Sequence, residues 1–167
     1  MLDSVYRALI FILPAYVANG SPVVISRLIP LLHPIDGGKK FLDNRRILGN
    51  GKTIEGFLGG VILGTATSLV LEFMGLHSVG EGFVLSVGAL VGDIAGSFIK
   101  RRLGLERGDP APLLDQLDFL FGALLLYSIF YGSIDLEETL ILIVITPVIH
   151  LATNMAAYAL KLKDRPW

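Results

Sequence analysis

The chain has 167 residues, 53% of them hydrophobic, with 19 glycines, a formal charge of -1 and a mean hydropathy of +0.66. Its apolar residues gather into blocks and do not alternate with polar ones, which excludes an ordinary water-soluble domain and makes residues 1–167 a single polytopic membrane domain. Cysteine is absent, excluding disulfide and thiolate chemistry, and the opening Met1-Leu2-Asp3-Ser4 lacks the basic stretch and small-residue cleavage site of a signal peptide.

A spanning helix needs about 20 mostly apolar residues. The first block is interrupted, because residues 5–17 are too short alone and the apolar run resumes at 23–32 only after Asn19-Gly20-Ser21-Pro22. One broken span is expected, with Asn19 and Ser21 facing a wet cavity, since irregular backbone at membrane depth is tolerated where it lines such a cavity. A simple end-of-helix turn before an interfacial segment is the alternative. Further spans are predicted at about 56–74, 82–99, 117–133 and 139–160, the last carrying Pro147. The fold class is therefore an all-α integral membrane protein of about five transmembrane helices.

Of the 14 Lys and Arg residues, 12 lie in the first connection, the third connection and the tail, while the segments 75–81 and 134–138 hold none. The positive-inside rule then places the N-terminus outside and the C-terminus inside. Loops at about 33–55 and 100–116 become cytoplasmic and form the active site of a multi-pass protein of the cell membrane.

Gly56, Gly60 and Gly64 on the second span, and Gly88, Gly92 and Gly96 on the third, repeat every four residues. Such faces let helix backbones approach closely. The expectation is that the two ladders bring the second and third spans together and hold Lys52 beside Asp93.

Gly51-Lys52-Thr53 precedes the second span, but a Walker A loop needs glycine where Arg46 stands and a strand before it. The turn can still offer N–H groups, a cation and a hydroxyl to a phosphate, or Lys52 can merely anchor the helix among headgroups. On the third span Asp93, Ser97 and Lys100 share one face. An aspartate within an apolar span costs roughly 2.5–3.5 kcal/mol on insertion scales, which makes Asp93 a functional-site candidate. Asp115 and Asp118 add carboxylates at the mouth of the next span. They suit Mg²⁺, which takes one or two carboxylates together with phosphates and water, or else they are solvated partners of the nearby arginines. His150, Asn154 and Tyr158 form a stripe on the last span, expected only to hydrogen-bond between helices.

Gly51-Lys52-Thr53-x-Glu55-Gly56-Phe57-x-Gly59-Gly60, then Gly92-Asp93-x-x-x-Ser97-x-x-Lys100-Arg101 and Asp115-x-x-Asp118, resembles the membrane cytidylyltransferases that make CDP-activated lipids. The stretch from Glu106 to Leu114 and Gln116 depart from the CDP-diacylglycerol synthase signature. Together with the opening from Pro14 to Pro22, they are similar to the CDP-archaeol synthase branch. The resemblance implies transfer of CMP from CTP to 2,3-di-O-geranylgeranylglycerol 1-phosphate, an isoprenoid ether-lipid phosphate, with release of pyrophosphate and dependence on Mg²⁺. Asp93 and Asp115 are then metal ligands, and Asp118 is a third ligand or a carboxylate behind them. Lys52, Lys100 and Arg101 would bind the triphosphate or the lipid phosphate, with Ser97 and Thr53 donating hydrogen bonds and Asn19 and Ser21 lining the same site. The expected partners are CTP, the lipid phosphate and the bilayer, with no nucleic acid and no obligate protein partner. Alternatives are a CDP-diacylglycerol synthase-like enzyme acting on another lipid phosphate, a polyprenol kinase or lipid phosphatase, and a small transporter with Asp93 as an ion site.

Overall fold

The computed structural model describes residues 2–166. Five helices make up the bundle: α1 (Leu2–Leu28), α2 (Ile54–Phe73), α3 (Val79–Arg102), α4 (Leu114–Tyr131) and α5 (Leu136–Ala159). Each is long and apolar enough to cross a membrane. Among the described residues there is no strand, only two isolated bridges in the α1–α2 connection.

The first span is one continuous helix, not a broken one. Asn19-Gly20-Ser21-Pro22 reads as a turn by the rules of soluble loops, but here the backbone stays helical through Pro14 and Pro22. Lipid offers no hydrogen bonds, so a chain at membrane depth keeps its helix and adjusts locally. Pro22 has no N–H for the Ala18 carbonyl. That carbonyl instead faces Gly60, where an added Cβ would lie 2.8 Å from it. The Ser21 hydroxyl donates to the Val17 carbonyl at 2.5 Å.

The two glycine ladders do not face one another. The α2 ladder is instead wedged between α1 and α3, with Gly56 against Pro22, Gly60 between Ala18 and Leu90, and Gly64 between Pro14 and Ser86. The α3 ladder is covered by α4, where Gly88 meets Gly122, Gly92 meets the Asp118 backbone and Gly96 meets the Asp118 side chain. A four-residue period identifies a close-packing face but carries no information about which helix covers it. The core lies between α1, α3 and α4, with Ile12, Leu85, Phe119 and Leu120 at its centre and Leu142 reaching in from α5. α5 is otherwise thinly embedded, touching only α1 and α4. A bond of 2.7 Å between the Tyr16 and Thr146 hydroxyls ties it to α1.

The connection between α1 and α2 is organised by a residue that sequence reading passed over. The Asp36 side chain is fully buried and accepts from Arg46 Nη2 at 2.6 Å, Arg46 Nε at 3.2 Å, Leu48 N at 3.0 Å, Gly49 N at 2.9 Å and Gly38 N at 3.1 Å. Burial opposes its ionisation, but the Arg46 guanidinium and the three N–H groups outweigh it and hold the carboxyl well below the usual range. The chain reverses just after it through Gly37 and Gly38, both with the positive φ that glycine adopts without strain.

Asp36→Asn is expected to loosen this connection, at a cost of about 3 kcal/mol or more, because it strands Arg46 and turns an amide donor toward backbone donors. The native carboxyl titrates below its unfolded value of about 3.9, so its stabilisation is complete above that pH and is lost as pH falls through the native value. The gap in thermal stability between wild type and Asp36→Asn should therefore be full at neutral pH and begin to close below about pH 4. Tryptic cutting at Lys39, Lys40 and Arg45 should be faster in the variant at neutral pH.

Candidate active site

The folded connection docks on the C-terminal end of α3. Arg45 Nη1 donates to the Arg102 carbonyl at 2.9 Å, placing a cation where the helix dipole is negative. Arg102 in turn donates to Asp43 and to the Arg46 carbonyl, both at 2.5 Å, with its guanidinium 4.8 Å and 5.0 Å from the ring centres of Phe41 and Phe98. Antiparallel bonds from Ile35 N to the Lys52 carbonyl (2.9 Å) and from Ile54 N to the His33 carbonyl (2.9 Å) then fix the start of α2. Lys52 is thus delivered to α3, where its Nζ donates to Asp93 Oδ2 at 2.5 Å. The juxtaposition expected of these two residues is present, and loop docking beside the α2–α3 contact produces it.

The N-terminus of α2 is not an open anion cradle. Thr53 caps it, its hydroxyl accepting from Gly56 N at 3.1 Å, and Ile54 N is already committed to the His33 carbonyl. What Gly51-Lys52-Thr53 offers the cavity is the lysine ammonium together with the Thr53 hydroxyl, which accepts at the cap and can still donate its proton.

The cavity has a volume of about 980 Å³ and is walled by α1, α3, α4, α5, the start of α2 and the tail. Asp93 sits nine positions before the end of α3, so the polar floor lies roughly 14 Å into the span. Of the residues expected in the site, Asn19, Lys52, Thr53, Asp93, Ser97, Lys100, Asp115 and Asp118 line this cavity. Ser21 does not, being buried with its hydroxyl turned to its own helix. Arg101 is also absent from the lining, and its Nε is buried without a hydrogen-bond partner among the described residues.

The carboxylates have distinct environments. Asp115 stands in the first turn of α4, where the dipole favours an anion. It accepts from Lys100 Nζ at 2.8 and 3.1 Å and from Ala111 N at 2.9 Å, which clamps the turn at Leu113, a non-glycine residue at φ 66°. Lys100 also donates to the Asp109 carbonyl at 2.9 Å. Asp118 is seated one turn deeper, its side chain resting on α3 in the space that a Cβ at Gly96 would fill. Its Oδ1 accepts from its neighbour Phe119 N at 2.6 Å, its Oδ2 has no hydrogen-bond donor among the described residues, and it interacts electrostatically with Asp93 and Lys52.

Among the described residues no three Asp, Glu or His side chains converge on one point. Asp93 and Asp118 nevertheless form a neighbouring pair of hard oxygen donors in a polar cavity, each with one oxygen that accepts no hydrogen bond among the described residues. That donor set fits Mg²⁺, which leaves its remaining positions to phosphates and water.

Sequence reading missed part of the wall. His150, Thr153 and Asn154 of α5 line the cavity opposite α3, with His150 stacked on Phe119 at 6.1 Å and bonded to Asn154 at 3.2 Å. The stripe His150, Asn154 and Tyr158, expected to face the bundle and bond between helices, faces inward at its first two members, which bond to each other within α5, while Tyr158 is exposed. Arg107 and Lys163 also reach the lining, from segments whose course depends on tertiary packing.

The model of the CarS-like family, described as CDP-archaeol synthase, matches residues 1–167. A CDP-archaeol synthase of Thermofilum pendens is 48% identical over 167 residues, spanning 98% of this chain and 82% of its own. One from Pyrobaculum aerophilum is 52% identical over 163 residues, spanning 95% and 96%. The solved structure of an intramembrane enzyme for archaeal membrane lipids biosynthesis matches with a TM-score of 0.80 at 42% identity, covering 89% of this chain and 92% of its own. With five helices able to span a bilayer and this match along its full length, the chain is a multi-pass membrane protein that belongs to the CDP-archaeol synthase family.

Proposed function

We propose that this protein is a CTP:2,3-di-O-geranylgeranylglycerol-1-phosphate cytidylyltransferase of the cell membrane, with its N-terminus outside and its cavity open to the cytoplasm. The observation that carries the reading is the recessed cavity itself, in which Lys52, Asp93, Lys100, Asp115 and Asp118 meet at a depth a lipid headgroup can share with a nucleotide. A phosphate oxygen of the lipid attacks the α-phosphorus of CTP, the bond from that phosphorus to the bridging oxygen breaks, and pyrophosphate leaves. The attacking phosphate is already an anion, so no protein base is required. The obstacle is repulsion between phosphates, and fixed charges remove it.

Lys52 and Lys100 exchange their carboxylate partners for phosphate oxygens when substrate arrives, and Ser97 donates a hydrogen bond beside them. Asp93 and Asp118 would hold Mg²⁺, with Asp115 one turn away on α4, and the ion would supply charge neutralisation at the phosphates.

Purified protein given labelled CTP and the ether-lipid phosphate should form a CDP-lipid and one pyrophosphate per turnover. Chelation should abolish the reaction, Mg²⁺ should restore it, and the ester-lipid phosphate should be a poorer substrate. CTP consumption without lipid product, or undiminished turnover after chelation, would refute the assignment. Orientation has its own test. Cysteines at Asn44 and Arg107 should react with an impermeant maleimide only from the cytoplasmic side and one at Glu137 only from outside, whereas labelling of Arg107 and Glu137 from one side would overturn the topology.

A further inference from the structure

The turn at the tip of the α1–α2 connection lies against the outer flank of α3. Phe41 N donates to the Arg45 carbonyl at 2.8 Å and Asn44 N to the Phe41 carbonyl at 3.0 Å, which closes the turn. The Phe41 ring meets Phe98 edge-on at 5.4 Å, with the Arg102 guanidinium beside both rings. Val91, Ala95, Phe98 and Arg102 form one stripe along α3. Val91 and Ala95 are exposed on it, so in a helix that spans a bilayer this stripe faces lipid. With 24 residues α3 is roughly 36 Å long, against a hydrocarbon thickness of about 30 Å. Phe98 stands about one turn from its end. The turn therefore rests where hydrocarbon gives way to headgroups.

Its chemistry suits that place. Leu42, beside Phe41, is 94% exposed. The arginines of the connection are committed internally, Arg45 to the Arg102 carbonyl and Arg46 to Asp36, and the carboxylate of the turn, Asp43, is held by Arg102. Lys39 and Lys40 differ. Both are exposed, and neither ammonium has a hydrogen bond or ion pair among the described residues. An exposed apolar tip beside uncommitted cations matches the surface of an anionic bilayer, where the apolar side chain enters the interface and the ammonium groups meet lipid phosphates.

We propose that Leu42, Lys39 and Lys40 form a membrane-surface anchor that pins the α1–α2 connection, with Leu42 in the interface and the two lysines on the phosphates of anionic lipids. The occupant is the surrounding bilayer and not a ligand of the cavity. Phe98 stands roughly 140° around α3 from Asp93, and none of the three anchor residues lines the cavity. The anchor is thus independent of the cytidylyltransferase reading.

The test uses the full chain in nanodiscs, which leave both membrane faces open to reagents. The sequence has no cysteine, so Leu42→Cys carries a single nitrobenzoxadiazole label. In discs of phosphatidylcholine with phosphatidylglycerol, lipids bearing a nitroxide near the headgroup should quench that label. Aqueous iodide should quench it about fivefold less than it quenches labelled free cysteine. Unlabelled wild type supplies a second measurement, chymotryptic cleavage after Phe41 and Leu42 read by mass spectrometry. This cleavage should be about fivefold slower in the anionic discs than in phosphatidylcholine alone, and the difference should shrink as salt rises. Lys39→Gln combined with Lys40→Gln should abolish the difference and leave the KM for CTP unchanged. Iodide quenching equal to that of labelled free cysteine, or wild-type cleavage at one rate in both lipids, overturns the proposal. So does a raised KM for CTP in the double variant, which assigns the lysines to the nucleotide.

Discussion

Asp93→Asn is expected to reduce CMP transfer on the order of a thousandfold, corresponding to a loss of about 4 kcal/mol of charge stabilisation at the reacting phosphates. The side chain keeps its size but loses the charge that would hold a divalent cation. Lys52 is left without its partner at 2.5 Å. Asp118 already interacts with that ammonium, so the lysine keeps a carboxylate neighbour and the helices stay packed. Initial rates across a Mg²⁺ titration, together with thermal unfolding in detergent, check both halves. A variant that retains substantial Mg²⁺-dependent transfer, or that loses transfer only by failing to fold, would return Asp93 to a structural role.

Gly92→Val is expected to disrupt the bundle itself, destabilising it beyond the roughly 1–3 kcal/mol typical of overpacking. A Cβ at Gly92 would run into the Asp118 carbonyl and lie 3.0 Å from the Gly122 Cα, both of them backbone with no rotamer to escape into. Gly96→Ala, one turn along, collides instead with the Asp118 side chain. The carboxylate can swing away while the Asp118 Cβ, 2.8 Å from the added methyl, must give slightly, so this variant should fold with a smaller loss of stability while losing about tenfold or more in rate through a displaced carboxylate. Unfolding midpoints and turnover measured on the pair separate packing from chemistry. Equal stability of the two variants would show that α3 and α4 are not held at backbone contact.

Much of this arrangement can be read from the chain, and the limits have physical causes. Hydropathy located all five spans to within a few residues, because burial in lipid is a one-dimensional constraint. The same constraint explains the misreading of Asn19-Gly20-Ser21-Pro22, since turn signals learned in water lose their force where only a helix satisfies the backbone. The cluster Lys52, Asp93, Lys100, Asp115 and Asp118 was visible because charges near an apolar block stand out. Asp36 was not, because its importance lies in five donors gathered from residues 38–49 by the folded loop. Gly122 escaped notice for a related reason, as the one glycine of α4 opposite a conspicuous ladder.

The two lysine–aspartate pairs also bear on how the chain is made. In each pair the lysine precedes its aspartate, Lys52 before Asp93 and Lys100 before Asp115, with only one helix or one short connection between them. During synthesis each cation has therefore already emerged when its anion does. The third span need not wait for the C-terminal half before its buried carboxylate is neutralised, and the fourth finds Lys100 as soon as its first turn forms. Charges that would make either helix a reluctant passenger in lipid are cancelled in the order in which they are translated, so the reactive centre and the insertion-competent intermediate draw on the same residues.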